Sequence, residues 1–234
     1  VHLERSHRFD ASSDVGALVR AVHAGDAEAV LALLEDPERA GASRIEPGDR
    51  EGLARVVREG YAAYAEARTP VRRLAALDRF RVLCAHRHGP LGVTEHNAFV
   101  ESLLAADGVI EPGPGRAWYA GRPLGVTRND PSAGLYNGDV GLVGHGPGGA
   151  GLRVLFLGPD GAERWLSPLR LRAAETVFAM SVHKSQGSEF DAVLVVLPEQ
   201  PSPIVTRELL YTAVSRARHT VWICLLYTSP SPRD

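Results

Sequence analysis

The stretch MSVHKSQGSEFDAVLVVL, Met180–Leu197, decides the fold. Its ends are apolar and its middle is not. Thr176–Met180 and Ala192–Leu197 read as strands, and VHKSQGSEF between them reads as a loop. A plain connector between buried strands needs only a glycine and a few polar residues. Here Ser181, His183, Lys184, Gln186 and Glu189 crowd the carboxyl end of a strand, the edge at which open α/β sheets bind ligands. Gly187 lets backbone approach a bound group closely, and Glu189 can accept from a ribose hydroxyl. The competing reading is a solvated loop whose charges are incidental.

Downstream lies TRELLYTAVSRAR, Thr206–Arg218. Leu209, Leu210, Ala213 and Val214 mark one face of a helix over Arg207–Ser215, which packs on the sheet before a last strand, Thr220–Cys224. Arg216 and Arg218 follow its end. Arginine there can simply complement the helix dipole and meet solvent. Alternatively, a packed helix holds one guanidinium rigidly against a phosphate across a domain cleft, an arrangement worth on the order of 10³–10⁵ in rate.

Upstream, helical period dominates. Val15, Leu18, Val19 and Val22 share a face after the capping residues Ser12–Asp14, and Gly25-Asp26 stops that helix and starts another, Ala27–Leu34. A third runs from about Glu51 to Ala67, and Pro70 opens a short one reaching Leu77. Phe80–Ala85 is then a strand, HRHGPLG a loop, and Thr94 the cap of a helix over Glu95–Leu104. Strand, loop and helix in that order make a βα unit and call for a parallel sheet. Gly and Pro cluster over Gly108–Gly125 and Gly144–Gly151, with short strands at Pro123–Thr127, Val140–Val143, Arg153–Leu157 and Arg164–Leu166. Pro159-Asp160-Gly161 turns the last pair into a hairpin. The stretch Tyr136–Arg170 has no helical period and reads as a small antiparallel sheet or barrel inserted into an α/β domain.

The chain has 234 residues, 44% hydrophobic and 23% charged, in the ordinary range for a globular protein. A net charge of −2 lends no support to nucleic-acid binding by overall field, so any such contact must come from local Lys and Arg. Cys84 and Cys224 lack the spacing of a zinc site or disulfide framework and fit a reducing compartment. No apolar run approaches the ~20 residues of a membrane span, and the polar opening VHLERSHRFD is no signal peptide. A cytoplasmic protein is expected. LLYTSPSPRD, Leu225–Asp234, reads either as a short native disordered tail or, by its resemblance to translated sequencing-adapter sequence, as a non-native one, and it is set aside from the fold.

Taken together and in order, six segments resemble the second motor domain of superfamily-one helicases, in particular the RecD family, the alpha subunit of exodeoxyribonuclease V. They are SHRF (Ser6–Phe9), VLCAHRHGPLGVTEHN (Val82–Asn97), GRPLGVTRND (Gly121–Asp130), YNGDVG (Tyr136–Gly141), FAMSVHKSQGSEFD (Phe178–Asp191) and TRELLYTAVSRAR. The two late ones are highly specific; SHRF alone is weak. The resemblance implies an α/β fold: a RecA-like parallel sheet flanked by helices, formed by residues 1–135 and 171–224, with residues 136–170 as a small SH3-like all-β insertion. It implies an ATP-dependent 5′-3′ DNA helicase acting in double-strand break repair and recombination, with single-stranded DNA and the beta and gamma subunits of exodeoxyribonuclease V as partners. Arg8 would contact the γ-phosphate and Arg216 would be the arginine finger. Gln186, Gly187 and Glu189 would lie at the nucleotide, and Ser181, His183 and Lys184 would face the single-stranded DNA path or couple it to the ATP site.

Two departures matter. The chain contains no G-x-x-x-x-G-K-[ST] loop, and no Asp-Glu pair following an apolar strand. ATP and Mg²⁺ would therefore be bound mainly by an N-terminal motor domain outside these residues, and this chain alone should be inactive. The rival readings are a stand-alone or relaxase-fused RecD-like helicase, and a non-enzymatic nucleic-acid-binding or scaffold domain. The latter predicts decay of the ATP-facing residues, yet Arg8, Gln186, Gly187, Glu189 and Arg216 are all present. A nuclease would need a carboxylate cluster with metal-ligand spacing, which the sequence lacks; no metal is expected on this chain itself.

Overall fold

Local chemistry sets the element boundaries in the computed structural model, which describes residues 13–113, 117–149, 151–171 and 173–226. Helix α1 (Asp14–Ala24) starts where the Ser13 hydroxyl accepts from the Gly16 amide at 3.1 Å. It ends at Gly25, whose φ of 74° is the left-handed cap that glycine adopts without strain. The Asp26 carboxylate then caps α2 (Ala27–Glu35). Next come β1 (Ala42–Ile45), α3 (Arg50–Gly60), α4 (Ala62–Glu66), α5 (Pro70–Ala76), β2 (Phe80–Cys84) and α6 (Val93–Ala106). The strands β3 (Pro123–Val126), β4 (Val140–His145), β5 (Leu152–Leu157), β6 (Glu163–Leu166) and β7 (Ala174–Thr176) follow. The chain closes with β8 (Ala179–Ser181), β9 (Phe190–Val196), α7 (Arg207–Val214) and β10 (Ala217–Cys224).

The chain divides into two units, residues 1–57, 80–95 and 180–234 in one, and 58–79 and 96–179 in the other. The first contains a mixed α/β layer whose sheet runs β1-β10-β9-β2-β8. The pairings β1 with β10, β10 with β9, and β9 with β2 are all parallel. Its central strands are apolar on both faces, as a covered parallel sheet requires: Val82, Leu83, Val193 through Val196, Val221 and Ile223 are buried. The α/β class and the parallel sheet with flanking helices read from the sequence are thus present.

The second unit holds an antiparallel sheet in the order β6-β5-β4-β3-β7. Leu124, Val126, Leu135, Val143, Val154 and Phe156 form its core. Gly141 lies under the Phe156 ring, where a Cβ would sit 2.7 Å from ring carbons, so only glycine fits. The β5–β6 hairpin turns at Pro159-Asp160-Gly161 as expected, closed by a Gly158 amide to Ala162 carbonyl bond of 2.9 Å. These antiparallel strands draw on residues 123–176, a wider span than 136–170.

Several local expectations are corrected. The helix expected over Glu51–Ala67 is interrupted at Tyr61, whose backbone leaves the helical region at φ −92°, ψ 11°. The Tyr61 hydroxyl there donates to the Phe178 carbonyl at 2.5 Å, and Gly60 just before it is a poor helix former. Thr94 does not cap α6 but lies inside it. The first α6 amides instead reach loop carbonyls, Val93 to His86 at 3.0 Å and Thr94 to Arg87 at 3.2 Å. The single strand expected over Thr176–Met180 is two. Thr176 pairs with Leu124 in the antiparallel sheet, whereas Ala179–Ser181 belongs to the parallel one. Strand β1 was not expected at all. Leu225, set aside with the tail, donates to the Ile45 carbonyl at 3.1 Å and extends the sheet by a residue; residues 227–234 lie outside the described residues.

Candidate functional site

The polar loop between β8 and β9 is built on a short 3-10 turn, Val182–Ser185. Ser181 caps that turn, its hydroxyl accepting from the Lys184 amide at 3.4 Å. Val182 and Ser185 point inward, the Ser185 hydroxyl donating to the Val182 carbonyl at 2.7 Å. This inward pair leaves His183, Lys184, Gln186 and Gly187 exposed. Gly187 has a φ of +88°, with nothing within 4 Å of the position a Cβ would take. Backbone conformation and open space together make this a place where a ligand can lie against the main chain.

Helix α7 brings the second motif to the same loop. Thr206 caps it, accepting from the Leu209 amide at 3.2 Å, and Leu209, Ala213 and Val214 are buried beneath it. Arg216 follows as the chain turns into β10. It is only 7% exposed. Its Nε donates to the Thr212 carbonyl at 3.0 Å, Nη1 to the Ser188 carbonyl at 3.1 Å and Nη2 to the Ser215 hydroxyl at 3.3 Å. Phe190 in turn donates its amide to the Arg216 carbonyl at 2.9 Å. Loop and helix end are therefore joined in both directions at one residue.

Beside this junction, Arg218 holds Glu189: Nη2 and Nε lie 2.9 and 3.3 Å from Oε2. Under the same loop, Arg81 is buried in β2 with its guanidinium 5.2 Å from the centre of the Phe190 ring. In the second unit, Asn97 meets both backbone groups of Ala179, two residues before Ser181. Its Nδ2 donates to the Ala179 carbonyl at 3.0 Å and its Oδ1 accepts from the Ala179 amide at 2.9 Å.

Of the residues singled out from the sequence, Ser181, His183, Lys184, Gln186, Gly187 and Glu189 share one loop, and Arg216 reaches it by a direct hydrogen bond. Arg8 lies outside the described residues. The Asn129 side chain accepts from the Asn137 amide at 2.8 Å. Arg218, Arg81 and Asn97 were not picked out as site residues. A charged residue inside an otherwise apolar strand was the available signal for Arg81; for Asn97 there was none, because its partner is 82 residues away.

The model of the UvrD-like helicase C-terminal domain matches residues 176–224, the segment containing both motifs. The RecBCD enzyme subunit RecD of Mycobacterium tuberculosis (strain H37Rv) is 44% identical over 226 residues, 94% of this chain and 37% of that protein. RecD of Haemophilus influenzae is 29% identical over 93% of this chain and 36% of its own length. The ATP-dependent RecD2 DNA helicase of Deinococcus radiodurans is 36% identical over 149 residues, 63% of this chain and 20% of that protein. Among solved structures, the Pif1 helicase from Bacteroides in complex with ADP-AlF3 and ssDNA superposes with a TM-score of 0.49 and 15% identity, covering 95% of this chain and 51% of that one. The chain spans little more than a third of the length of the RecD proteins it matches.

Proposed function

This chain belongs to the RecD family of DNA helicases, and on that premise we propose that it forms the second, RecA-like motor domain of an ATP-driven 5′-3′ helicase, the alpha subunit of exodeoxyribonuclease V. In this reading it works in the cytoplasm on double-strand breaks, with the beta and gamma subunits as partners and single-stranded DNA as its track. Residues 136–170 are the SH3-like insertion of this reading.

The observation that carries the proposal is the Arg216 junction. A motor domain must convert a change at its nucleotide into a change at its DNA, and one side chain here bonds to the loop that would do both. On the nucleotide side, Gly187 offers open backbone, Glu189 an acceptor for a ribose hydroxyl, and Arg216 a guanidinium fixed by three hydrogen bonds. Arg8 would add a second cation at the γ-phosphate. ATP with Mg²⁺, held mainly by a first motor domain carrying the phosphate-binding loop, supplies the phosphoryl group transferred to water. A guanidinium already held in place needs little reorganisation to stabilise the charge that develops there. On the DNA side, Ser181 shapes the loop while His183 and Lys184 present exposed donors. Such contacts fall on the phosphate backbone, so binding should tolerate sequence and weaken with salt.

The test is DNA-stimulated ATP hydrolysis by the complete helicase polypeptide carrying this stretch. Arg216→Ala should keep nucleotide binding and lose on the order of 10³-fold or more in turnover; unchanged turnover would remove the arginine-finger assignment. The likeness to RecD2, which is named as a helicase in its own right, favours one second reading, a stand-alone motor. Activity of the purified polypeptide without the beta and gamma subunits separates the two.

A further inference from the structure

Strand β10 is irregular at its start. Ala217 pairs with Phe190, and regular register resumes only at Thr220 opposite Ala192. Three steps along β10 thus face two along β9, so one extra residue is accommodated at Arg218-His219. Bulges of this kind re-aim a side chain, and they are uncommon between parallel strands. Here the side chain of Arg218 is brought over the first residues of β9. Its Nη2 and Nε both bond Glu189 Oε2, and Nη1 stands 3.9 Å from Asp191 Oδ1. Glu189 and Asp191 are two apart along an extended segment, so their side chains leave the same face. The guanidinium lies between two carboxylates that would otherwise repel, and two of its donors meet one oxygen of Glu189.

We propose that Arg218 is a positioning residue for the nucleotide's sugar: it fixes the Glu189 carboxylate so that it meets a ribose hydroxyl, and thereby sets the preference for nucleotides that carry that hydroxyl. A carboxylate has about four lone-pair sites, and both bonds from Arg218 fall on Oε2. The pair is half-exposed, at 50% for Arg218 and 32% for Glu189, and such a pair adds little to stability. Its contribution is orientation, because two donors on one oxygen set the carboxylate's direction where a solvated side chain would sample several. This rests on the reading that Glu189 faces the ribose.

The experiment compares ATP with 3′-deoxy-ATP and 2′-deoxy-ATP as substrates of the complete helicase, in wild type, Glu189→Gln, Arg218→Ala and Arg218→Lys. In the wild type one of the deoxy substrates should show a KM raised roughly tenfold, the loss of one hydrogen bond to a charged group. Glu189→Gln should erase that preference. Arg218→Ala should reduce it at least threefold by raising KM for ATP while kcat changes less than twofold, and Arg218→Lys should restore it in part. If Glu189→Gln keeps the preference, the ribose reading itself fails and takes the Arg218 proposal with it. If Glu189→Gln erases the preference while Arg218→Ala retains it, or Arg218→Ala lowers kcat with KM unchanged, the Arg218 proposal alone is overturned.

Discussion

Arg216 Nη1 donates to the Ser188 carbonyl across 3.1 Å, while its Nε holds the Thr212 carbonyl one helical turn back. A single planar guanidinium thus ties the end of α7 to the loop before β9. Lysine carries the same charge but one donor centre in place of the fork. Arg216→Lys is expected to retain less than about a tenth of the DNA-stimulated ATPase and to destabilise the protein by about 1–3 kcal/mol, as one or both carbonyls lose their partner. Steady-state turnover and urea unfolding of the same preparation check both.

Asn97 stands in for a neighbouring strand, meeting the amide and carbonyl of Ala179, which is fully buried. Asn97→Ala leaves both backbone groups without that partner and should cost about 2–6 kcal/mol, from two buried polar groups at about 1–3 kcal/mol each. Asn97→Asp keeps an acceptor for the amide but turns the donor into a second acceptor facing a carbonyl, so it should not rescue. Chemical denaturation of the three proteins decides the point.

Tyr61, Tyr64 and Phe178 meet edge to face, with ring centres 5.4 to 6.2 Å apart. The two tyrosine hydroxyls are used as well: Tyr61 donates to the Phe178 carbonyl and Tyr64 to the Gly121 carbonyl. Tyr64→Phe should cost about 1–2 kcal/mol and Phe178→Ala about 3–5 kcal/mol. The order, with the ring lost costing more than the hydroxyl, is what unfolding curves would have to reproduce.

Cys84 and Cys224 flank Val196 on either side of β9. Burial, followed by Glu199 and Glu46 nearby, pushes the Cys224 thiol from its ordinary 9.0 up to about 12, and burial raises Cys84 as well. An acid raised in the folded state ionises first in the unfolded chain. Its stabilising contribution is therefore complete below pH 9 and is lost as pH climbs from there towards 12. The thermal midpoint should fall steadily above about pH 9, with a shallower slope in Cys224→Ala. A flat profile through this range would contradict the burial argument.

The parallel sheet was legible because its central strands are apolar on both faces, as at Val193–Val196, and are bounded by turn residues. Strand β1 was not. Ala42-Ser43-Arg44-Ile45 buries only its ends, and Arg44 is drawn to Glu35 and Glu46 at its surface, so an edge strand of four residues reads as polar coil. Residues 176–180 were legible as extended but not as divided, because apolar alternation marks burial and carries no record of which sheet does the burying. In the candidate site, Gly187 and Glu189 stood out by residue type. The Arg218 contact did not, since it follows from a register shift between strands that no local pattern encodes.

The order β1-β10-β9-β2-β8 has a consequence for synthesis. Strands β1 and β2 emerge early, yet neither neighbours the other: β9 and β10, made last, lie between them. Until Phe190–Cys224 has left the ribosome, the early strands have no mutual partner and their edges remain uncovered. Closing such long loops is slow, and bare apolar strands attract other chains meanwhile. A chaperone that shields residues 42–84 during translation should raise the yield of folded protein, and the same chain released before residue 217 should aggregate rather than fold.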